Sequence, residues 1–196
     1  MPRSGAEARN RLEEAALELY GERGYDQTTT AEIAARAGVT ERTYFRHFAD
    51  KREVLFNVEV RQQDALARAL ADVSGTVSPV TAVLQAFRSM APTLEGNRPL
   101  AEARHRVIAT TPALRERELM KASALSVVVA DALRVRGLPD WRATLLAQVT
   151  TAALGHAIHT WVADPASDLD ALIVQAFADL RALSEVHIAP EPVTRP

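Results

Sequence analysis

TTAEIAARAGVTERTYFRHFADKR, residues 29–52, is the stretch from which the fold can be read. Thr29 and Glu32 have the spacing of a capping box, in which each side chain accepts the other residue's backbone N–H. A helix therefore starts there and carries Ile33, Ala34 and Ala37 on one face. Gly38 interrupts it, where a left-handed φ turns the chain without steric cost. Thr40 caps a second short helix that reaches about His47. Two short helices joined at a glycine turn make a helix-turn-helix. Ala34 sits where the helices cross, and a larger side chain would push them apart. Ile33, Ala37, Val39 and Tyr44 form the small core between them, so the second helix lies across the surface, shaped for a major groove.

Upstream, Leu12, Ala15, Ala16, Leu19 and Tyr20 recur at helical spacing, and Gly24 stands where a left-handed residue ends that helix. Downstream, a long helix is expected from about Lys51 to Asp72, with Val54, Leu55, Val58, Leu66, Ala69 and Leu70 inward. Residues 74–79 break the pattern. Ser78-Pro79, Pro99 and Thr111-Pro112 then read as helix starts with proline in the first turn. Helices are expected at about 79–95, 99–109, 112–136, 140–163 and 168–186. No segment alternates with period two, so the chain reads as all-α with about nine helices. Its expected organisation is a helix-turn-helix unit at 1–50, a connecting helix at 51–73, a larger helical domain at 74–188, and a disordered tail at 189–196, where three of eight residues are proline.

The 196 residues are 47% hydrophobic and 24% charged, which fits a globular protein and excludes collagen-like or wholly disordered chains. The absence of cysteine excludes disulfides, cysteine zinc sites and a thiol nucleophile, and suits a reducing cytoplasm. No apolar run approaches the roughly 20 residues of a membrane span, and no signal-peptide core follows the first methionine. A cytoplasmic location without membrane partners is expected. The net charge of −2 means that binding to nucleic acid must rest on a local patch. Residues 36–52 hold five basic and two acidic side chains, whereas residues 1–61 hold ten and eleven, so the basic character is confined to one place. Phosphate loops, dinucleotide fingerprints, nucleophile elbows and His-Glu-x-x-His are all missing. His156 and His159 have i, i+3 spacing but no carboxylate motif beside them. Enzyme activity, a cofactor and a metal are therefore not expected.

The segment from about Arg9 to Asn57 resembles the DNA-binding domain of the TetR family of bacterial transcriptional regulators. The likeness runs through Gly24-Tyr25, Thr28-Thr29, Ile33-Ala34, Ala37-Gly38-Val39-Thr40, Thr43-Tyr44-Phe45-Arg46-His47-Phe48, Lys51 and Leu55. It implies a homodimer that places the second helix of each motif in the major groove of a palindromic operator on double-stranded DNA, and a C-terminal domain that binds a small effector of unknown identity. Carried over by position, Thr29 and Thr30 fall where a phosphate is met, and Glu41, Arg42 and Thr43 where base edges are read. Phe45, Arg46 and His47 fall where backbone or base is touched, and Lys51 where a lysine holds a phosphate. Relatives often carry tyrosine at the position of Phe45, and its hydroxyl meets a phosphate. Phe45 lacks that donor, and Arg46 beside it can replace the contact. Arg42 is the best base reader, because a bidentate arginine on guanine is the commonest specific contact. Tyr44 and Phe48 read as core. His47 reads equally as a packing residue and as a phosphate donor.

The resemblance also implies dimerisation through the last two long helices, for which Leu146, Ala153, Ala157, Trp161, Leu169, Ile173, Phe177 and Leu180 are the candidates; an intrachain core is the alternative. The effector pocket is expected among the middle helices. Its candidate lining is Phe87, Met90, Leu94, Arg104, His105, Ile108, Met120, Leu125, Val128, Gln148, Thr151 and His159, largely apolar with a few polar groups. A weaker likeness, through 115–119, Trp141-Arg142, 152–154 and Trp161-Val162, is to actinobacterial members with an acyl-CoA-binding-like C-terminal domain. The expected function is that of a ligand-released repressor. An activator or global regulator on the same fold, and a helical ligand-binding module without a DNA role, are the alternatives at this point.

Overall fold

A computed structural model describes the backbone of residues 3–56 and 58–184, with side chains from residue 5 except those of 57–62. The described residues form ten α-helices and no strand: α1 Arg3–Arg23, α2 Thr30–Arg36, α3 Glu41–His47, α4 Val58–Asp72, α5 Pro79–Arg88, α6 Ala91–Glu95, α7 Arg98–Thr110, α8 Pro112–Val135, α9 Asp140–Ala163 and α10 Leu169–Ser184. The all-α class holds. The expected helix at 79–95 is divided into α5 and α6, since a continuous helix would press the Pro92 ring on the Arg88 carbonyl and leave that carbonyl without its amide. The expected tail at 189–196 and the inward placement of Val58 lie outside what is described.

Local chemistry sets the helix-turn-helix as expected. Thr29 caps α2 with both halves of the capping box in place: Glu32 N donates to Thr29 Oγ1 at 3.3 Å, and Thr29 N donates to Glu32 Oε2 at 2.9 Å. Thr40 caps α3 through Thr43 N. Gly38 between them has φ +68°, where a Cβ would be strained. The first prediction follows here. Thr29→Ala removes one cap and should lower the unfolding free energy by about 1 kcal/mol in urea titrations. An unchanged midpoint would mean that the box contributes nothing.

The expected helix from Lys51 begins late. A 3-10 turn at Glu53–Leu55 comes first, and Phe56 leaves helical geometry at φ −112°, ψ 10° before α4. Val54, Leu55 and Phe56 are all fully buried. An α-helix spreads three successive side chains over most of its circumference, so a tight turn and a bend are needed to aim all three inward.

Two cores result. The first joins Leu12, Ala16 and Leu19 of α1 with Ile33, Ala34, Tyr44, Phe48 and Val54–Phe56, and it also takes in Val107, Ile108 and Leu114 from α7 and α8. The second gathers Leu66 and Leu70 of α4, Phe87 of α5, Val129 and Leu133 of α8, Ala147 and Trp161 of α9, and Ile173 and Phe177 of α10. Arginines secure the helix ends. Arg98 donates to the carbonyls of Trp161, Asp164 and Ser167, covering the negative end of α9 with a cation. Arg136 does the same for α4 at Leu70, Val73 and Ser74.

Candidate functional site

α3 is seven residues long, too short to be helical alone, so its neighbours hold it in place. Tyr44 is fully buried and donates to Asp50 O at 3.0 Å, and its ring meets Phe48 with centroids 5.4 Å apart. Both residues are core, as expected. α2 is pinned to α1 by Arg36, which contacts Glu18 and Glu22 at 2.9 and 3.0 Å. Thr30 donates to Glu41 at 2.6 Å and links the start of α2 to the start of α3.

The outer face of α3 carries Glu41, Arg42, Phe45 and Arg46, all exposed, with Thr43 half-buried beside them. Phe45 is 53% exposed, its ring set edge-on to Tyr44 at 5.5 Å. An exposed phenyl ring beside two arginines can pack against sugar or a thymine methyl once DNA covers it. The cations at 36–52 are not equally free. Arg36 is tied to carboxylates and Arg52 to Asp50, while Arg42 and Arg46 have no ion pair or hydrogen bond among the described residues. The basic patch read from the sequence is in effect these two arginines.

Lys51 is placed differently from a free phosphate ligand. Its Nζ donates to Tyr25 O at 3.0 Å and Thr28 O at 3.3 Å, and it sits 4.2 Å from the Tyr25 ring centre. Tyr20 closes the knot by donating to Lys51 O at 2.6 Å. One ammonium proton remains for DNA. His47 is half-buried, and its Nε2 is buried without a hydrogen-bond partner among the described residues. Burial, and then the Arg46 and Arg9 cations, push its imidazole below the usual histidine value.

Several C-terminal expectations are corrected. Ala157, Trp161, Leu169, Ile173 and Phe177 are buried in the chain's own second core; Ala153 is buried but belongs to neither core, Leu146 is half-buried against the second core and Leu180 is half-buried. Trp161, Leu169 and Ile173 have no exposed surface in the single chain and so offer none to a partner, whereas Leu146 and Leu180 stay partly open. The outward stripe of α9 is Trp141, Leu145, Gln148, Val149, Ala152, His156 and His159, and α10 adds Ala171, Val174 and Ala178. Trp141 and Leu145 are 63% and 53% exposed. Gln148 and His159 thus lie on the outside and do not line an interior; the His159 ring meets that of His105 at 4.9 Å. Met120 is exposed on α8. Ile108 belongs to the first core, and Arg104 reaches across to it, donating to Leu55 O at 2.8 Å and lying over the Phe56 ring. Phe87, Met90, Leu94 and Leu125 do gather at the second core; Val128 is half-buried, and Thr151 is buried with its hydroxyl unpartnered among the described residues.

Glu53 was missed. It pairs with Arg117 and, at 3.7 Å, with Lys121, fastening the 3-10 turn to α8. The signal was there: three consecutive apolar residues after Glu53 do not fit a helical stripe.

Comparison with known proteins agrees with this architecture. Residues 12–58 match the family model of bacterial regulatory proteins, tetR family, and residues 77–184 match that of the MftR C-terminal domain. The HTH-type transcriptional regulator TcmR of Streptomyces glaucescens is 31% identical, over 85% of this chain and 78% of that protein. Among solved structures, Thermus thermophilus FadR in complex with lauroyl-CoA superimposes with a TM-score of 0.59 at 24% identity, over 94% of this chain and 98% of that one. The triclosan complex of SmeT, the repressor of a Stenotrophomonas maltophilia multidrug efflux pump, gives 0.64 at 22% identity, over 96% and 98%. Among the described residues, no helix is long and apolar enough to cross a membrane.

Proposed function

We propose, from the premise that this chain belongs to the TetR family of bacterial regulatory proteins, that it represses transcription as a cytoplasmic homodimer on a palindromic operator and is released by a small apolar or amphipathic effector. The observation that carries the DNA half is the outer face of α3, where Arg42 and Arg46 stand unneutralised beside the exposed Phe45. Two such helices, related by a two-fold axis and about 34 Å apart, enter successive major grooves on one side of the duplex. Arg42 reads a guanine edge, Arg46 takes a phosphate, and Thr29, Thr30, Glu41, Thr43, His47 and the last proton of Lys51 complete the contact.

The partner surface is the outward stripe of α9 and α10, around Trp141, Leu145, Val149 and Val174, continued by the small side chains of Ala152 and Ala178. A second copy presents the same face, and two pairs of helices then close into a four-helix bundle. The effector enters beside the second core near Phe87, Met90, Leu94, Leu125 and Thr151, where the buried Thr151 hydroxyl offers a polar anchor among apolar walls. The lauroyl-CoA and triclosan held by two structures of similar fold favour ligands of that character. Binding acts only through a difference in affinity between two arrangements of the dimer. Glu53 and Arg104 transmit the change, because both join the DNA-binding unit to α7 and α8.

The test is operator selection from genomic fragments, followed by Arg42→Ala. The variant should lose about 1–3 kcal/mol of discrimination at one base pair per half-site. Wild-type binding should weaken with salt at a log–log slope of about −0.9 per phosphate neutralised. An Arg42→Ala protein with unchanged sequence preference removes Arg42 from base reading.

A further inference from the structure

Two threonines stand at the start of α2, and both hydroxyl protons are used within the chain. Thr29 Oγ1 donates to Glu32 Oε2 at 2.8 Å, inside the capping box. Thr30 Oγ1 donates to Glu41 Oε1 at 2.6 Å, in the short range of a hydrogen bond to a charged oxygen. A threonine hydroxyl carries one proton, so a phosphate could take it only by breaking one of these bonds. The bond from Thr30 joins the first residue of α2 to the first residue of α3.

Glu41 has no other commitment. It is exposed, and among the described residues no cation pairs with it, although Arg42 follows it and Arg46 shares the outer face of α3. Its second oxygen, Oε2, has no hydrogen-bond partner among the described residues. A carboxylate on a face that meets DNA is repelled by the phosphates around it. It gains only opposite a donor, and in the major groove the base donors are N4 of cytosine and N6 of adenine. Guanine and thymine offer acceptors there. Adenine sets its N7 acceptor beside N6, whereas cytosine presents its amino group with no acceptor on the same base edge.

We propose, resting on the reading of α3 as the recognition helix, that Glu41 selects a cytosine in each half-site by accepting from its N4 amino group, and that Thr30 is the residue that positions it. Thr30 holds one carboxylate oxygen, so less side-chain freedom is lost when the other meets the base. Thr30 thus serves a base contact and not a phosphate. Opposite any other base edge the carboxylate has no matching donor and still faces the phosphates, so Glu41 discriminates by rejection as well as by attraction.

The full-length protein first selects from a random-sequence duplex library at fixed salt. Affinities for the selected site, changed one base pair at a time, and for a random duplex are then measured for the parent, Glu41→Ala, Thr30→Val and Thr30→Ser, with circular dichroism to check folding. The parent is expected to prefer cytosine about tenfold or more at one position per half-site. Glu41→Ala loses that preference, keeps the one read by Arg42, and binds the random duplex several-fold more tightly. Thr30→Val weakens the same preference several-fold and leaves random-duplex binding unchanged, since the charge remains. Thr30→Ser keeps the hydroxyl and restores the preference. Thr30→Val keeps the test open should Glu41→Ala fail to fold. Failure of the α3 reading looks different: the parent selects no sequence, and this proposal falls with it. Where the parent does select a palindrome, the proposal alone is overturned by any of three results. Glu41→Ala keeps every base preference, the preference it loses is for a base other than cytosine, or Thr30→Val matches the parent. A Thr30→Ser protein that behaves as Thr30→Val does overturns the positioning role.

Discussion

Leu145→Glu should convert the protein from dimer to monomer and weaken operator binding by on the order of a hundredfold or more, because two half-sites bound through one dimer gain an effective concentration that separate chains lack. Leu145 is 53% exposed in the single chain and lies at the middle of the α9 stripe between Trp141 and Val149. A glutamate there remains solvated in the monomer, so the fold is spared. In the proposed dimer a two-fold axis would bring both carboxylates into an apolar seam, where an unpaired charge costs several kcal/mol. Sedimentation velocity reads the assembly, and circular dichroism checks that helicity is unchanged. A Leu145→Glu protein that remains dimeric at micromolar concentration would remove this face from the interface.

Trp161→Ala should act differently, lowering the unfolding free energy by about 3–5 kcal/mol, the range for emptying a large aromatic site. Trp161 is fully buried in the second core, and the Arg98 guanidinium lies 4.8 Å from its ring centre. The same arginine donates to Trp161 O and Asp164 O at 2.6 Å, so the substitution also removes the surface on which that cation rests. Urea unfolding measures the loss. The experiment separates two placements of this side chain. Were Trp161 at the partner seam, as its helical spacing alone allows, the variant would dissociate while each chain kept its stability. Dissociation without destabilisation would refute the buried placement.

These outcomes turn on a distinction that helical periodicity does not make. α9 is apolar on opposite faces, with Ala147, Leu154 and Trp161 on one and Trp141, Leu145 and Val149 on the other. A stripe at 3.6-residue spacing identifies a face to be covered and says nothing of which chain covers it. The helix-turn-helix could be read because its determinants are local: the Thr29–Glu32 box, the positive φ of Gly38 and the Thr40 cap each act within a few residues. Lys51, Arg104 and Glu53 could not, since their partners are 14 to 68 residues away and are chosen by the packing. The charge count at 36–52 overstated the free charge of that face, because Arg36 is neutralised by Glu18 and Glu22, which only the fold brings close, and Arg52 by Asp50 two residues before it.

The first core takes Val107 and Ile108 from α7 and Leu114 from α8, so the reading head is not a portable cassette. Cut at Phe56 and grafted onto a foreign sensor, it would carry an open apolar wound where those three side chains had stood. A working chimera has to exchange α7 and the first turn of α8 along with it, or redesign that seam. The same borrowing makes a separate relay unnecessary: the helices that flank the sensor are part of the floor on which the reading head stands, and when they tilt, it tilts with them.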